Sequence, residues 1–329
     1  MKPDLISRIF QIREQYQFQD LALEIFKYQF DNNPVYNSFA RQLGIERNSV
    51  SSVTDIPFIP VEFFKSHKLI SGSHKSGIIF ESSGTDGMNV SRHFVADPAL
   101  YEESLMQSFR MFYGEPSGYF IASMTPSPEE RNHSSLAYMM DKLIRRSSYH
   151  YSGFYMNNAG GLINRINESR SKDLKVILTG LSYALIDLAE EYSPDLSGVV
   201  VMETGGMKGR RKEMTREELH EYLKRKFNLA VIHSEYGMTE LLSQAYSTGE
   251  GIFHCPHWMR VFIRDYQDPL TLIPETGRTG AINIIDLANV YSCSFIATDD
   301  LGRLREDDGF EVLGRIDKSD IRGCNLLTG

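Results

Sequence analysis

Cysteine is scarce in this chain: its 329 residues include only three, at positions 255, 293 and 324. Three scattered thiols build no disulfide framework, and a reducing cytosol is the expected setting. Long apolar runs are missing too. No stretch approaches the roughly 18 consecutive apolar residues that mark a membrane-crossing helix, so no membrane span is expected. The start, Met1-Lys2-Pro3-Asp4-Leu5, meets an acid at once and has no apolar core of signal-peptide length. A soluble, cytoplasmic protein is the expectation. Positive charge is in deficit, with 35 Lys and Arg against 43 Asp and Glu for a net charge of −8. That excludes a general nucleic-acid binder, which needs a basic face, while a local basic pocket for one nucleotide stays open. Internal repeats and low-complexity linkers are absent. The remainder, 41% hydrophobic and 24% charged, is ordinary for a globular enzyme with a large core in one or two domains.

Apolar spacing lays out the architecture. Leu5, Ile9 and Ile12, then Leu21, Ile25, Phe26 and Phe30, recur at helical intervals. Pro34 interrupts, and a shorter helix is expected through Phe39 and Leu43. Asp97-Pro98 and Gly114 are start and stop signals for a helix over 97–113. Strand-like runs at 119–122, 175–178, 199–202 and 230–233 then alternate with helical stretches at 134–146, 181–192 and 215–227. This alternation predicts parallel α/β layers with ligand loops at the carboxyl ends of the strands. From 255 onward, short apolar runs at 261–263, 281–285, 293–297 and 310–313 are separated by Gly, Pro and Asp. They predict a smaller, mostly antiparallel sheet or barrel packed on the α/β part. The expected divisions are an N-terminal helical region (1–50), an α/β core (51–254), its β-rich part (255–313) and a tail (314–329).

Four short motifs carry chemistry. Phe80-Glu81-Ser82-Ser83-Gly84-Thr85-Asp86-Gly87 follows the apolar run at 77–80. An apolar run feeding a hydroxyl-rich, glycine-punctuated loop presents N–H groups and hydroxyls to phosphate oxygens. It is not a Walker loop, because no Lys-Ser or Lys-Thr follows at the required spacing. Tyr236-Gly237-Met238-Thr239-Glu240 comes after a strand-like run and before an apolar, helix-like one. Thr298-Asp299-Asp300 and Gly314-Arg315-Ile316-Asp317 complete the set. His254-Cys255-Pro256-His257 is read as a loop, since no second Cys/His pair accompanies it to make a zinc site.

The ordered set resembles the adenylate-forming superfamily, which joins a carboxylate to ATP as an acyl-adenylate. Asp320-Ile321-Arg322-Gly323-Cys324-Asn325 looks like the tail of the LuxE-type acyl-protein synthetases, and the likeness spans about residues 50 to 329. The resemblance implies ATP and Mg²⁺. It implies that Ser82, Ser83, Gly84, Thr85 and Gly87 hold the β- and γ-phosphates, with Arg92 where the family has a Pro-Lys. Gly205 and Gly206 would pack against adenine and Tyr236 would stack on it. Thr239 would reach the α-phosphate, and Glu240 would bind the metal as a hard oxygen ligand. Asp300 would accept the ribose hydroxyls, and Arg315 would supply a fixed cation. Asp299 stands where the family has glycine and adds a negative charge. Typical members continue into a lid domain; the resemblance to LuxE-type enzymes, which largely do without one, implies that it is essentially absent here.

Cys324 is the expected nucleophile of a second step. A thiolate attacks an acyl-adenylate, and Arg322 nearby favours the thiolate. The implied activity is activation of a fatty acid to acyl-AMP, then transfer to Cys324 as a thioester. An acyl reductase or acyltransferase would be the downstream partner. Two other readings stand beside it, an aryl- or acyl-CoA ligase and a non-catalytic nucleotide-binding partner subunit.

Overall fold

Asp97 accepts the N–H groups of Ala99 and Leu100 at 3.0 and 3.4 Å, Pro98 opens the first turn, and the helix Pro98–Tyr113 ends at Gly114, φ 79°. Side-chain caps of this kind satisfy N–H groups that a helix start leaves unpaired. Ser134 caps Ser135–Arg146 in the same way, and Thr215 with Glu218 forms a reciprocal capping box on Arg216–Phe227. The computed structural model describes residues 3–75, 77–82, 90–205 and 214–316.

These helices cover a six-stranded sheet. Its order is Gly153–Phe154, Tyr119–Met124, Lys175–Gly180, Val200–Glu203, His233–Tyr236 and Ala245–Ser247, parallel except for the last strand. Phe120, Ala122, Val176 and Leu178 pack with the helices Ala159–Ser171 and Ser182–Glu191. Ile121 and Ile177 alternate to the other face and meet Leu105, Phe109, Met139 and Leu143. A sheet buried on both faces accounts for the continuous apolar runs that mark these strands in the sequence.

The second sheet runs in the order Ile252–Phe253, Phe310–Arg315, Phe295–Leu304, Gly280–Asp286, Met259–Arg264 and Leu272–Ile273, antiparallel along this path. Ile59–Pro60 adds a parallel strand beside Phe295–Leu304. The helices Pro3–Ile9, Gln15–Asn32 and Pro34–Gln42 share its core, where Tyr36 stacks on Phe295 with centroids 5.8 Å apart. The buried amide of Gln29 donates to the carbonyls of Asn289 and Val290 at 3.2 and 2.9 Å, and the Ser294 N–H donates back to Gln29 Oε1 at 3.0 Å. That clamp fixes the loop behind the site described below. A two-stranded hairpin, Ile78–Glu81 with Arg92–Val95, stands between the sheets. The expected class, parallel α/β layers with a smaller antiparallel part, is the fold observed.

Two local expectations differ. The strand expected at 230–233 lies at His233–Tyr236, while Ala230 and Val231 are exposed. Polar residues fit within the strand because they are paired: Ser234 Oγ is 3.2 Å from His220 Nε2, and the Tyr113 hydroxyl is 3.1 Å from His233 Nδ1. The run after Glu240 is not helical either. It turns and enters the antiparallel strand Ala245–Ser247. Asp286 accepts the N–H groups of Leu242 and Ser243 at 2.8 and 3.0 Å, doing for this turn what helical carbonyls would otherwise do. No helix among the described residues is long and apolar enough to cross a membrane.

Candidate functional site

Where the carboxyl end of His233–Tyr236 faces the second sheet, Tyr236 donates its hydroxyl to Asp300 Oδ2 at 2.8 Å. The buried ring meets Phe253 and Phe310 edge-on, with centroids 5.9 and 5.6 Å apart. Burial first, then the Asp300 carboxylate, pushes the Tyr236 hydroxyl well up, so it stays a donor. Asp300 pairs across the sheet with Arg315, whose Nε lies 3.4 Å from Asp300 Oδ1. A carboxylate has about four lone-pair positions, so Asp300 keeps acceptor capacity for further hydroxyls. The Arg315 side chain is 77% exposed. A contact so exposed is worth about 0–1 kcal/mol at most, and leaves the guanidinium free to turn toward a stronger anion.

Glu240 is buried beside this pair. Burial raises its carboxyl; a hydrogen bond with Ser91 and the charge of Arg315 pull the other way, and Asp300 adds to the rise. The backbone here is held from outside. His93 places Nδ1 2.8 Å from the Thr239 carbonyl oxygen and Nε2 3.0 Å from Asn289 Oδ1, while Asn289 Nδ2 donates to the Glu240 carbonyl at 2.7 Å. His93 comes from the hairpin, so one buried imidazole couples the hairpin to Thr239-Glu240. Burial lowers its pKa to about 4, against the pull of both oxygens. His93→Phe leaves the Thr239 carbonyl and Asn289 without this partner and should cost about 1–3 kcal/mol of stability. Chemical denaturation of the two proteins checks this; equal stabilities would remove His93 from the support of the site.

At the loop end of the hairpin, just past the Glu81–Arg92 pair, the Ser82 N–H donates to the Ser91 carbonyl and the Ser91 N–H donates to Ser82 Oγ, both at 3.0 Å. Ser83, Gly84, Thr85 and Gly87 lie outside the described residues, as do Gly206 and Cys324. Arg92 is exposed, opposite Glu81. Gly205 is left-handed, φ 74°, a conformation that favours glycine, and its N–H donates to Glu203 Oε2 at 2.7 Å. Burial alone would raise Glu203, but His220, Arg216 and the Gly205 N–H bring it down to about 2. Arg216 reaches from Glu203 Oε1, 3.1 Å, to the Val312 carbonyl, 2.7 Å, and ties the parallel sheet to the antiparallel one.

Comparison with known proteins then bears on the whole chain. It is 25% identical over 341 aligned residues to the long-chain-fatty-acid–luciferin-component ligase of Vibrio harveyi, covering 96% of this chain and 88% of the relative. The Aliivibrio fischeri protein of the same name is 24% identical, covering 95% and 88%. Among solved structures, a 2-hydroxyisobutyryl-CoA ligase in the postadenylation state superposes with TM-score 0.67 at 11% identity, over 94% of this chain and 70% of that one. ATP-bound MatB from Rhodopseudomonas palustris gives 0.54 at 15% identity, over 72% of this chain. The chain spans about half of MatB, 47% of its length. No family model matches the chain. The fold is that of the adenylate-forming enzymes. Over nearly its full length the chain is similar to these two long-chain-fatty-acid–luciferin-component ligases.

Within that fold, Tyr236, Asp300, Arg315 and Glu240 lie near one another, with Thr239 next to Glu240 in the chain. Asp299, the departure from glycine, has three cations near it. Burial raises its carboxyl, while Arg315, Lys65 and Arg264 favour its ionised form. Arg264 is itself buried, donating to the carbonyls of Ile282 and Thr298 at 2.7 and 2.6 Å and to Asn283 Oδ1 at 2.7 Å. Burial lowers its pKa to about 10, which leaves it a cation at neutral pH. His93, Asn289 and Arg264 escaped sequence reasoning. Each sits in an ordinary run with no local signature, and the partners of His93 are 146 and 196 positions away.

Proposed function

We propose that this chain activates a fatty or other carboxylic acid with ATP and then carries the acyl group as a thioester on Cys324. In the first step a carboxylate oxygen attacks the α-phosphorus, the bond to the bridging oxygen breaks, and pyrophosphate leaves. In the second, the Cys324 thiolate attacks the acyl carbon and AMP departs with the electrons of the broken C–O bond. The thioester is then ready for a reductase or another acyl acceptor. The single observation that carries this reading is the convergence of Tyr236, Asp300, Arg315 and Glu240 where the two sheets meet.

Each side chain has a defined task. Asp300, oriented by the Tyr236 hydroxyl, accepts the ribose hydroxyls. Arg315 turns from Asp300 toward phosphate charge. Thr239, its carbonyl facing His93, offers its hydroxyl to the α-phosphate. Glu240 is a single hard carboxylate, and this fits Mg²⁺, which usually takes one or two protein carboxylates and fills its shell with phosphates and water. When bound there, the cation would neutralise charge on the departing pyrophosphate. The names of the two relatives supply the long-chain fatty-acid class.

Carboxylate-dependent ATP–pyrophosphate exchange over a panel of acids tests activation, and intact mass after incubation with ATP and acid tests retention. No exchange with any acid would end the ligase reading. Asp300→Ala should weaken ATP binding by roughly 2–3 kcal/mol, the scale of lost charge-assisted hydrogen bonds. Asp299→Ala should change it far less, because that carboxylate is matched to Lys65 and Arg264. Calorimetric titration of ATP into both variants decides; a larger loss at Asp299 would show that the ribose carboxylate has been misassigned.

A further inference from the structure

Asp300 stands at the end of an irregular stretch of its strand. Where Gly280–Asp286 pairs with Phe295–Leu304, Ala281 lies opposite Leu301 and Asn283 opposite Ala297. The single residue Ile282 therefore faces three, Thr298, Asp299 and Asp300. That is a large bulge, and bulges beside active sites re-aim a side chain. On the other edge of the strand the pairing at this point is regular, with Asp300 opposite Arg315 and Leu301 opposite Gly314. The bulge ends on the carboxylate to which Tyr236 donates.

A bulge breaks the ladder, and carbonyls inside it need donors from elsewhere. Arg264, only 7% exposed, reaches in from the neighbouring strand Met259–Arg264. Its Nη1 donates to the Ile282 carbonyl and to Asn283 Oδ1, both at 2.7 Å, and its Nη2 donates to the Thr298 carbonyl at 2.6 Å. One guanidinium thus spans both strands of the bulge. The Thr298 hydroxyl carries the link onward: it donates to the same Ile282 carbonyl at 2.9 Å and accepts the Asp300 N–H at 3.1 Å. A planar fork of donors suits such a span, whereas an ammonium on a flexible stem keeps the charge without the fixed geometry. Burial works against the charge on Arg264, and the Asp299 carboxylate, inside the same bulge, works for it. The aspartate that stands in place of glycine thereby gains a structural part.

Resting on the reading of Asp300 as the ribose carboxylate, we propose that Arg264 is a positioning residue for ATP: it pins the bulge Thr298–Asp300 and so fixes the angle at which Asp300 meets the ribose hydroxyls. A pin that merely held the sheet together would treat every nucleotide alike. A pin that sets Asp300 acts only on nucleotides that carry those hydroxyls.

The full chain is titrated calorimetrically with ATP and with dideoxy-ATP, which lacks both ribose hydroxyls. The wild type should bind ATP about tenfold or more tightly than the dideoxy analogue, the scale of hydrogen bonds to a charged group. Arg264→Lys keeps the cation but loses the fork. It should bring that ratio toward one by weakening ATP, and leave binding of the dideoxy analogue nearly unchanged. Asn283→Ala removes one acceptor of Arg264 and leaves the arginine in place; it should move the ratio the same way by less, and it decides alone if circular dichroism shows the Arg264→Lys protein unfolded. A wild-type ratio that survives in the folded variants, or an equal loss of both nucleotides, overturns the proposal and leaves the ribose reading standing. A wild-type ratio near one would bring down the ribose reading, and the proposal with it.

Discussion

Glu240→Gln should lower carboxylate-dependent pyrophosphate exchange by on the order of a hundredfold or more, the scale seen when one fixed transition-state contact is removed. The fold should survive. The wild-type carboxyl is buried, and burial raises it against the help of Ser91 and Arg315. A neutral amide of the same shape carries no desolvation penalty of charge and stands beside Asp300 without repulsion. Tm should therefore hold or rise while exchange falls. That divergence separates a metal-ligand role from a structural one, since a structural carboxylate would lower both. The pH profile gives a second check. Proton and cation compete for the same carboxylate, and because the carboxyl is raised, exchange should decline on the acid side above the ordinary carboxylate range. Added Mg²⁺ should move that limb back toward lower pH. Full exchange in a folded Gln variant would remove Glu240 from the site.

Much of this arrangement could be read along the chain because its signals are local. Asp97-Pro98 and Gly114 bound a helix by capping and glycine geometry alone, and the structure places Pro98–Tyr113 there. Apolar runs revealed strands buried on both faces. The strand that bears Tyr236 lies three positions later than expected for the same reason: Ala230 and Val231 look like a strand but are exposed, whereas His233 and Ser234 look like a loop but are paired. The turn at 241–244 was equally hidden, since the carboxylate that stabilises it, Asp286, is some forty positions away. Long-range compensation was the least legible. Asp299 read alone is an extra negative charge beside a nucleotide; only the fold brings Lys65 and Arg264 to it. Motif positions can be found by pattern, but the groups that hold them in place are chosen by the fold.

Cys324→Ser should still form acyl-AMP and exchange pyrophosphate, yet retain no hydroxylamine-sensitive acyl group. Activation and transfer are separate steps, so a residue needed only for transfer leaves the first intact. The other thiols are poor rivals. Cys293 is fully buried and Cys255 is partly so, and burial pushes each up to about 12. A thiol with that pKa is thiolate at neutral pH in roughly one molecule in ten thousand or fewer, and the thiolate is the nucleophile. Cys324, outside the described residues, has Arg322 two positions before it, and a nearby cation favours the thiolate. Cys255→Ser and Cys293→Ser should accordingly remain acylated. Intact mass of the three variants after incubation with ATP, Mg²⁺ and acid reads the outcome directly. Acylation of the Cys324→Ser protein, or a thioester mapped to position 255 or 293, would defeat the carrier role. The enzyme would then be one that hands its adenylate to an outside thiol, and free acyl-CoA should appear when coenzyme A is supplied.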